Sequence, residues 1–205
     1  MAQTFTGRKS TDPKQQAAMQ RALPLNTKPQ RRPDPIILVS PSASALLRMS
    51  NIKTFLESGV YAPPSDSLNS SGTNILHISR LIPSLDANRP TRFIVVDGPE
   101  QFKPEYWARV VAVFTTGQTW QFKNYKWSDP AELFRHTLGV YVGWRGEQVP
   151  EAVKQWGRGV LPVQIDAFRG AEGRWRDREV VEGIWKKVEE GMRGKGWTKE
   201  RGPVA

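Results

Sequence analysis

Three short runs with no polar residue constrain this chain most: Ile36–Val39, Phe93–Val96 and Val110–Phe114. A strand with one wet face alternates apolar and polar residues, whereas an unbroken apolar run of this length fits a strand covered on both faces. Covering both faces requires helices between the strands, and the chain supplies them. After the first run comes Ser40-Pro41-Ser42-Ala43-Ser44, then Ala45, Met49, Ile52 and Leu56 at helical spacing, which predicts a helix ending near Gly59. Asp129-Pro130-Ala131-Glu132 reads as an N-cap, a proline at the first helical position and an acid three residues on, opening a helix to about Gly139. Val181, Ile184, Trp185, Val188 and Met192 lie on one face of a long helix from about Trp175 to Arg193.

The remaining elements fill this frame. Residues 75–82, 139–144 and 160–166 read as further strands, Pro104–Trp107 as a short helix or turn, and Pro150–Gln155 as a short helix. Residues 62–74 are a loop by composition. Strands alternating with helices predict an α/β sheet flanked by helices. Three domains follow: a flexible, basic, Pro/Gln-rich extension over 1–34, an α/β domain over 35–197, and a C-terminal tail over 198–205.

Composition removes several chemistries. There is no cysteine, so disulfides, thiol nucleophiles, Cys-ligated zinc and iron–sulfur clusters are excluded. His77 and His136 stand far apart, out of any metal-ligand spacing. No apolar run approaches the roughly 20 residues of a membrane helix, and the start lacks the apolar stretch of a secretory signal. A soluble intracellular chain is the expectation, with no cofactor and no membrane partner. The net charge is +10, but residues 1–34 carry 7 Lys/Arg against 2 Asp/Glu while residues 35–173 carry 14 against 12. Half of the basic excess therefore lies in the extension, either as a solvated tail or as a nucleic-acid arm.

A strand, loop and helix at the start of an α/β domain is where phosphate-binding loops sit. Those loops need glycines to bring backbone N–H groups onto phosphate and a lysine to meet its charge. Here the loop over 40–44 has neither, and Pro41 removes one N–H donor. Asp97-Gly98 follows a strand but reads as a turn. No nucleophile elbow and no carboxylate pair with two assignable roles appears. A binding module is the better reading.

The eight tryptophans all fall between Trp107 and Trp197, several beside cations. The densest segment, residues 107–127, puts Arg109 at the start of a buried strand and Trp120, Lys123, Tyr125, Lys126 and Trp127 in the loop after it. Aromatic faces with cations suit a phosphorylated peptide, and equally the stacking of single-stranded bases. For each aromatic residue, core packing stays open as an alternative.

The strings PIILVSPSASALLRMSNIKTFL, RVVAVFTTGQTWQFKNYKW and REVVEGIWKKVEE resemble the C-terminal domain of the parafibromin family, over roughly residues 33–197 and in a fungal form. The family's larger N-terminal portion is not in this sequence, so a C-terminal piece is expected. The resemblance implies a small-GTPase-like (Ras-like) fold without nucleotide binding. It implies a nuclear, non-enzymatic domain of a subunit of the RNA polymerase II-associated factor complex. Its implied partners are the other subunits of that complex, phosphorylated RNA polymerase II C-terminal repeats and phosphorylated elongation-factor repeats, with histone modification downstream. A nucleic-acid-binding module, or a scaffold indifferent to phosphate, is the alternative. The domain is expected to be monomeric alone. The candidate phosphopeptide contacts are Arg109, Trp120, Lys123 and Trp127, and no motif is assigned to residues 62–90.

Overall fold

The computed structural model describes residues 32–65, 75–170 and 172–204; most of the extension over 1–34 and most of the loop over 62–74 lie outside them. The described residues belong to one unit, Arg31–Ala205. The apolar runs become strands: β1 (Ile36–Leu38), β2 (Ile75–Ile82), β3 (Asp86–Val96), β4 (Val110–Thr115), β5 (Leu138–Trp144) and β6 (Val160–Ile165). They form one sheet in the order β2-β3-β1-β4-β5-β6. All neighbours run parallel except β2, which pairs antiparallel with β3. This is the Ras-like sheet that the resemblance implies. The central strands β1 and β4 are buried along their whole length, as their unbroken apolar sequence requires.

Alternate residues feed two cores. Ile37, Val39, Phe93 and Val95 face one side, where they meet α1 (Ile52–Ser58) and α4 (Trp175–Gly194). The stripe Val181, Ile184, Trp185, Val188 and Met192 lies buried there, and the Trp185 indole N–H donates to the Leu56 carbonyl at 3.0 Å. Ile36, Leu38, Val96, Val110 and Val113 face the other side. Their cover is a set of short pieces: 3₁₀ helices at Pro104–Arg109 and Thr119–Phe122, α2 (Pro130–His136) and α3 (Glu151–Gln155). The two faces are therefore unequally covered.

Three boundaries depart from the sequence reading. The first helix starts at Ile52, not Ala45, because Asn51 stabilises the chain ahead of it in turns. The Asn51 side chain accepts from Arg48 N–H and donates to the carbonyls of Leu46 and Ala62. Its end is as expected, with Gly59 in the left-handed region (φ 68°) and its N–H on the Phe55 carbonyl. The helix opened by Asp129 ends at His136 rather than near Gly139, since Leu138 and Gly139 join the ladder opposite Ala112 and Val113. The strand holding the run Phe93–Val96, which sequence alone would start at Arg92, begins at Asp86, zipped to β2 as a hairpin through most of its length.

One buried ion pair clamps the carboxyl side of the sheet. The Arg174 Nε and Nη2 donate to the two Asp177 carboxylate oxygens at 2.6 and 2.8 Å, both side chains almost fully buried. Asp177 also accepts from the Tyr61 backbone N–H at 2.8 Å, and Arg174 Nη1 donates to the Asp166 carbonyl at 2.7 Å. The loop at Tyr61 and the loop after β6 are thus tied to the start of α4. The segment after α4 turns back as well: Thr198 N–H donates to the Arg201 carbonyl, and Val204 N–H to the Lys195 carbonyl.

Candidate functional site

In sheets of this type the ligand crevice lies outside the carboxyl ends of the strands. Here that position is filled. Ser42 Oγ donates to Gln118 Oε1 at 3.2 Å, and so does Thr116 Oγ1 at 3.2 Å, so the loop after β1 is laced to the loop after β4. Ser40 Oγ accepts the Ser42 N–H at 3.3 Å, and Ser42 and Ser44 hydroxyls share a hydrogen bond of 2.9 Å. The cavity left beneath, lined by Ser40, Leu47, Phe114 and Val140, holds about 20 Å³. That is room for one water, against the several hundred Å³ of a small-molecule site. With α1 beginning eight residues beyond this loop, its N-terminus does not follow the loop directly as it does in a phosphate-binding loop. Among the described residues no group of three or more His, Asp or Glu could hold a metal ion, and no helix is long and apolar enough to cross a membrane.

Trp120 and Lys123 stand on this carboxyl edge. Trp120 sits in the 3₁₀ helix Thr119–Phe122 and is 54% exposed. Lys123 caps that helix, its N–H on the Trp120 carbonyl at 3.3 Å, and is exposed. Buried Phe122 and Gln121 hold the turn from below: Phe122 meets Tyr125, Phe134 and Trp156 edge-on, and Gln121 donates to the Phe114 carbonyl at 2.9 Å. Burial pushes the neighbouring Tyr125 hydroxyl up to about 12, only partly offset by its hydrogen bond with Gln121.

Arg109 is at the other end of β4. Six residues at about 3.3 Å each separate the two positions by roughly 20 Å, so Arg109 does not share a pocket with Trp120 and Lys123. Its guanidinium is half-buried, donating from Nε (2.9 Å) and Nη2 (2.7 Å) to the Asp34 carbonyl while lying 5.0 Å over the Tyr106 ring. Arg109 also lines a groove of about 500 Å³ along the sheet. Ile36, Ile94 and Val96 form the groove's floor, Phe102 and Tyr106 one wall, and Asp97 with Glu100 its far end. The groove exists because the β3–β4 crossover is a six-residue 3₁₀ helix, too short to cover this flank as α1 and α4 cover the opposite face.

Trp127 belongs to the packing behind that wall. It is half-buried, edge-on to Trp107 and stacked on His136 at 4.1 Å, with Lys126 Nζ 4.7 Å over its ring. Trp107 in turn contacts Phe102 and Tyr125. Sequence reasoning missed Phe102, Tyr106 and Glu100 and treated Asp97-Gly98 as a turn. The available signal was the brevity of the stretch between β3 and β4 together with its aromatics. Burial raises the Asp97 carboxyl above its usual range, and the nearby Glu100 charge adds to the shift. Lys195, also unflagged by sequence, donates to the Val110 carbonyl at 3.0 Å beside the Arg109 end, and burial draws its ammonium down to about 8.

Comparison with known proteins places the chain. Residues 31–191 match the family described as RNA pol II accessory factor, Cdc73 family, C-terminal. The chain is 44% identical over 180 residues to cell division control protein 73 of Schizosaccharomyces pombe, covering 85% of this chain and 45% of that protein. It is 42% identical over 167 residues to the protein of the same name in Saccharomyces cerevisiae, covering 81% and 40%. A solved structure, the conserved domain of yeast Cdc73, superposes with a TM-score of 0.70 at 42% identity, over 80% of this chain and 99% of that one. The chain thus spans less than half the length of these curated relatives and essentially all of the solved domain.

Proposed function

Because this chain belongs to the Cdc73 family, matching its C-terminal domain, we propose that it is a non-enzymatic recognition domain of the RNA polymerase II-associated factor complex. It acts in the nucleus with the other subunits of that complex. It binds phosphorylated repeats of the polymerase tail or of an elongation factor, and so recruits the complex to transcribed chromatin, where histone modification follows.

The observation that carries this reading is Arg109. A half-buried guanidinium held by two bonds to one carbonyl and lining an open groove is suited to a phosphate oxygen. Trp120 and Lys123 offer a second aromatic-plus-cation contact on the carboxyl edge. A repeated peptide could engage both positions through successive phosphates. Trp127 contributes by supporting the groove wall through Trp107. The filled crevice after β1 supports recognition rather than nucleotide chemistry.

The test is calorimetric titration with matched phosphorylated and unphosphorylated repeat peptides. The phosphorylated peptide is expected to bind more tightly, and Arg109→Glu to abolish that preference. A charge-assisted hydrogen bond of about 1.5–3 kcal/mol predicts at least a tenfold loss for Arg109→Gln. Equal affinity for both peptides would make the domain a scaffold indifferent to phosphate.

A further inference from the structure

The groove beside Arg109 carries opposite charges at its two ends. At the far end, Asp97 and Glu100 project from the turn after β3, and among the described residues no cation pairs with either. The Glu100 carboxylate folds back over Gly98, where an added Cβ would clash with both its oxygens. Exposed Glu100 thus stands near half-buried Asp97, whose carboxyl its charge helps to raise, and a cation placed between them would relieve their mutual repulsion. Between the ends, the aliphatic floor and aromatic wall provide an apolar trough.

Strand register measures the trough. Ile36 lies opposite both Ile94 and Val110, so Arg109 sits about one position before Ile94 and Asp97 three beyond it. Four positions at about 3.3 Å give roughly 13 Å along the strands, and two strand spacings of about 4.8 Å, from β4 across β1 to β3, bring the backbone separation to roughly 16 Å. An extended ligand lying obliquely over β1 places residues i, i+2 and i+4 on one face over about 13 Å, and long side chains at its two ends span the remainder.

We infer that the groove binds an extended partner peptide with an anionic side chain at position i, an apolar one at i+2 and a lysine or arginine at i+4. The anion meets Arg109, the apolar side chain fills the trough over Ile94 and Val96, and the cation is held by Asp97 and Glu100. Charge complementarity at both ends selects one chain direction, because reversing the peptide sets like charges together. The inference rests on the proposed role of Arg109 for its anionic end only; the acidic end is a separate recognition element.

Four synthetic twelve-residue peptides test it, each with a leucine at i+2. They combine phosphoserine or serine at i with lysine or alanine at i+4, and are titrated into the wild-type chain and into the Asp97→Asn/Glu100→Gln double variant. Both substitutions are isosteric, and circular dichroism reports whether the fold is kept. In the wild type, replacing lysine by alanine is expected to weaken binding about fivefold or more. In the double variant that difference should vanish while the phosphoserine preference persists. A lysine effect in the wild type without a phosphoserine effect would support the acidic end and remove the phosphate reading. A phosphoserine effect with no lysine effect, a lysine effect surviving in the double variant, or no binding of any peptide would overturn this inference.

Discussion

The two places where a Ras-like sheet can receive a ligand are opposites in this protein. The crevice beyond the carboxyl ends of β1 and β4 is laced by Ser42, Thr116 and Gln118 down to about 20 Å³. The flank over β1 and β3 is open, with about 500 Å³ between an aliphatic floor and an aromatic wall. The closed region is made of side chains that bond to each other; the open one ends in charged groups, of which Asp97 and Glu100 make no ion pair among the described residues. Internal bonding and accessible apolar surface thereby fall to different parts of one sheet, because the 3₁₀ crossover at Pro104–Arg109 leaves the second flank thinly covered.

This contrast can be broken by mutation, and the largest effect belongs to the clamp on the carboxyl side. Asp177→Ala would leave the Arg174 guanidinium buried without its partner and orphan the Tyr61 N–H. A loss of about 3–5 kcal/mol is expected in urea denaturation. A loss under 1 kcal/mol would show that the carboxyl edge is held by something other than this pair.

A smaller effect comes from Lys195, next to the open flank. Its folded pKa, about 8, lies below the unfolded value of 10.5. Between these values the unfolded chain binds the proton that the folded chain has released, so stability rises with pH there. A gain of roughly 1–2 kcal/mol is expected from pH 8 to about pH 9.5, below the range where the raised hydroxyls of Tyr61, Tyr125 and Tyr141 oppose it. Lys195→Met should flatten that slope; an unchanged slope would assign the titration elsewhere.

The smallest stability change belongs to side chains that solvent still reaches. Trp120→Ala and the Asp97→Asn/Glu100→Gln pair should each alter unfolding free energy by no more than about 0.5 kcal/mol, the first while lowering affinity for phosphorylated repeats and the second while lowering it for peptides with a lysine at i+4. Stability losses above 1 kcal/mol with unchanged affinity would erase the distinction between the two regions.

Much of the fold was readable because it depends on local pattern. The runs at 36–39 and 110–114 could be satisfied only by strands buried on both faces, and the stripe from Val181 to Met192 only by a long helix. Asp129 and Gly59 mark ends that backbone chemistry dictates. The reading failed where a side chain bonds across sequence: Asn51 keeps residues 45–50 out of a helix by reaching Ala62, and β3 gains six residues because β2 is there to pair with them.

For the candidate site, residue type by itself identified Arg109, Trp120, Lys123 and Trp127 as aromatic and cationic groups worth attention, along with the absence of a phosphate cradle. Only the tertiary structure separated them, putting Arg109 on a groove, Trp120 and Lys123 at the opposite end of the same strand, and Trp127 against Trp107 and His136. It alone brought Asp97 and Glu100 to the far end of the groove that begins at Arg109. The division has a physical cause. Periodicity reports which face of an element is dry, a property of neighbours along the chain, whereas a groove is the space left between elements, and its shape depends on how far each crossover reaches over the sheet.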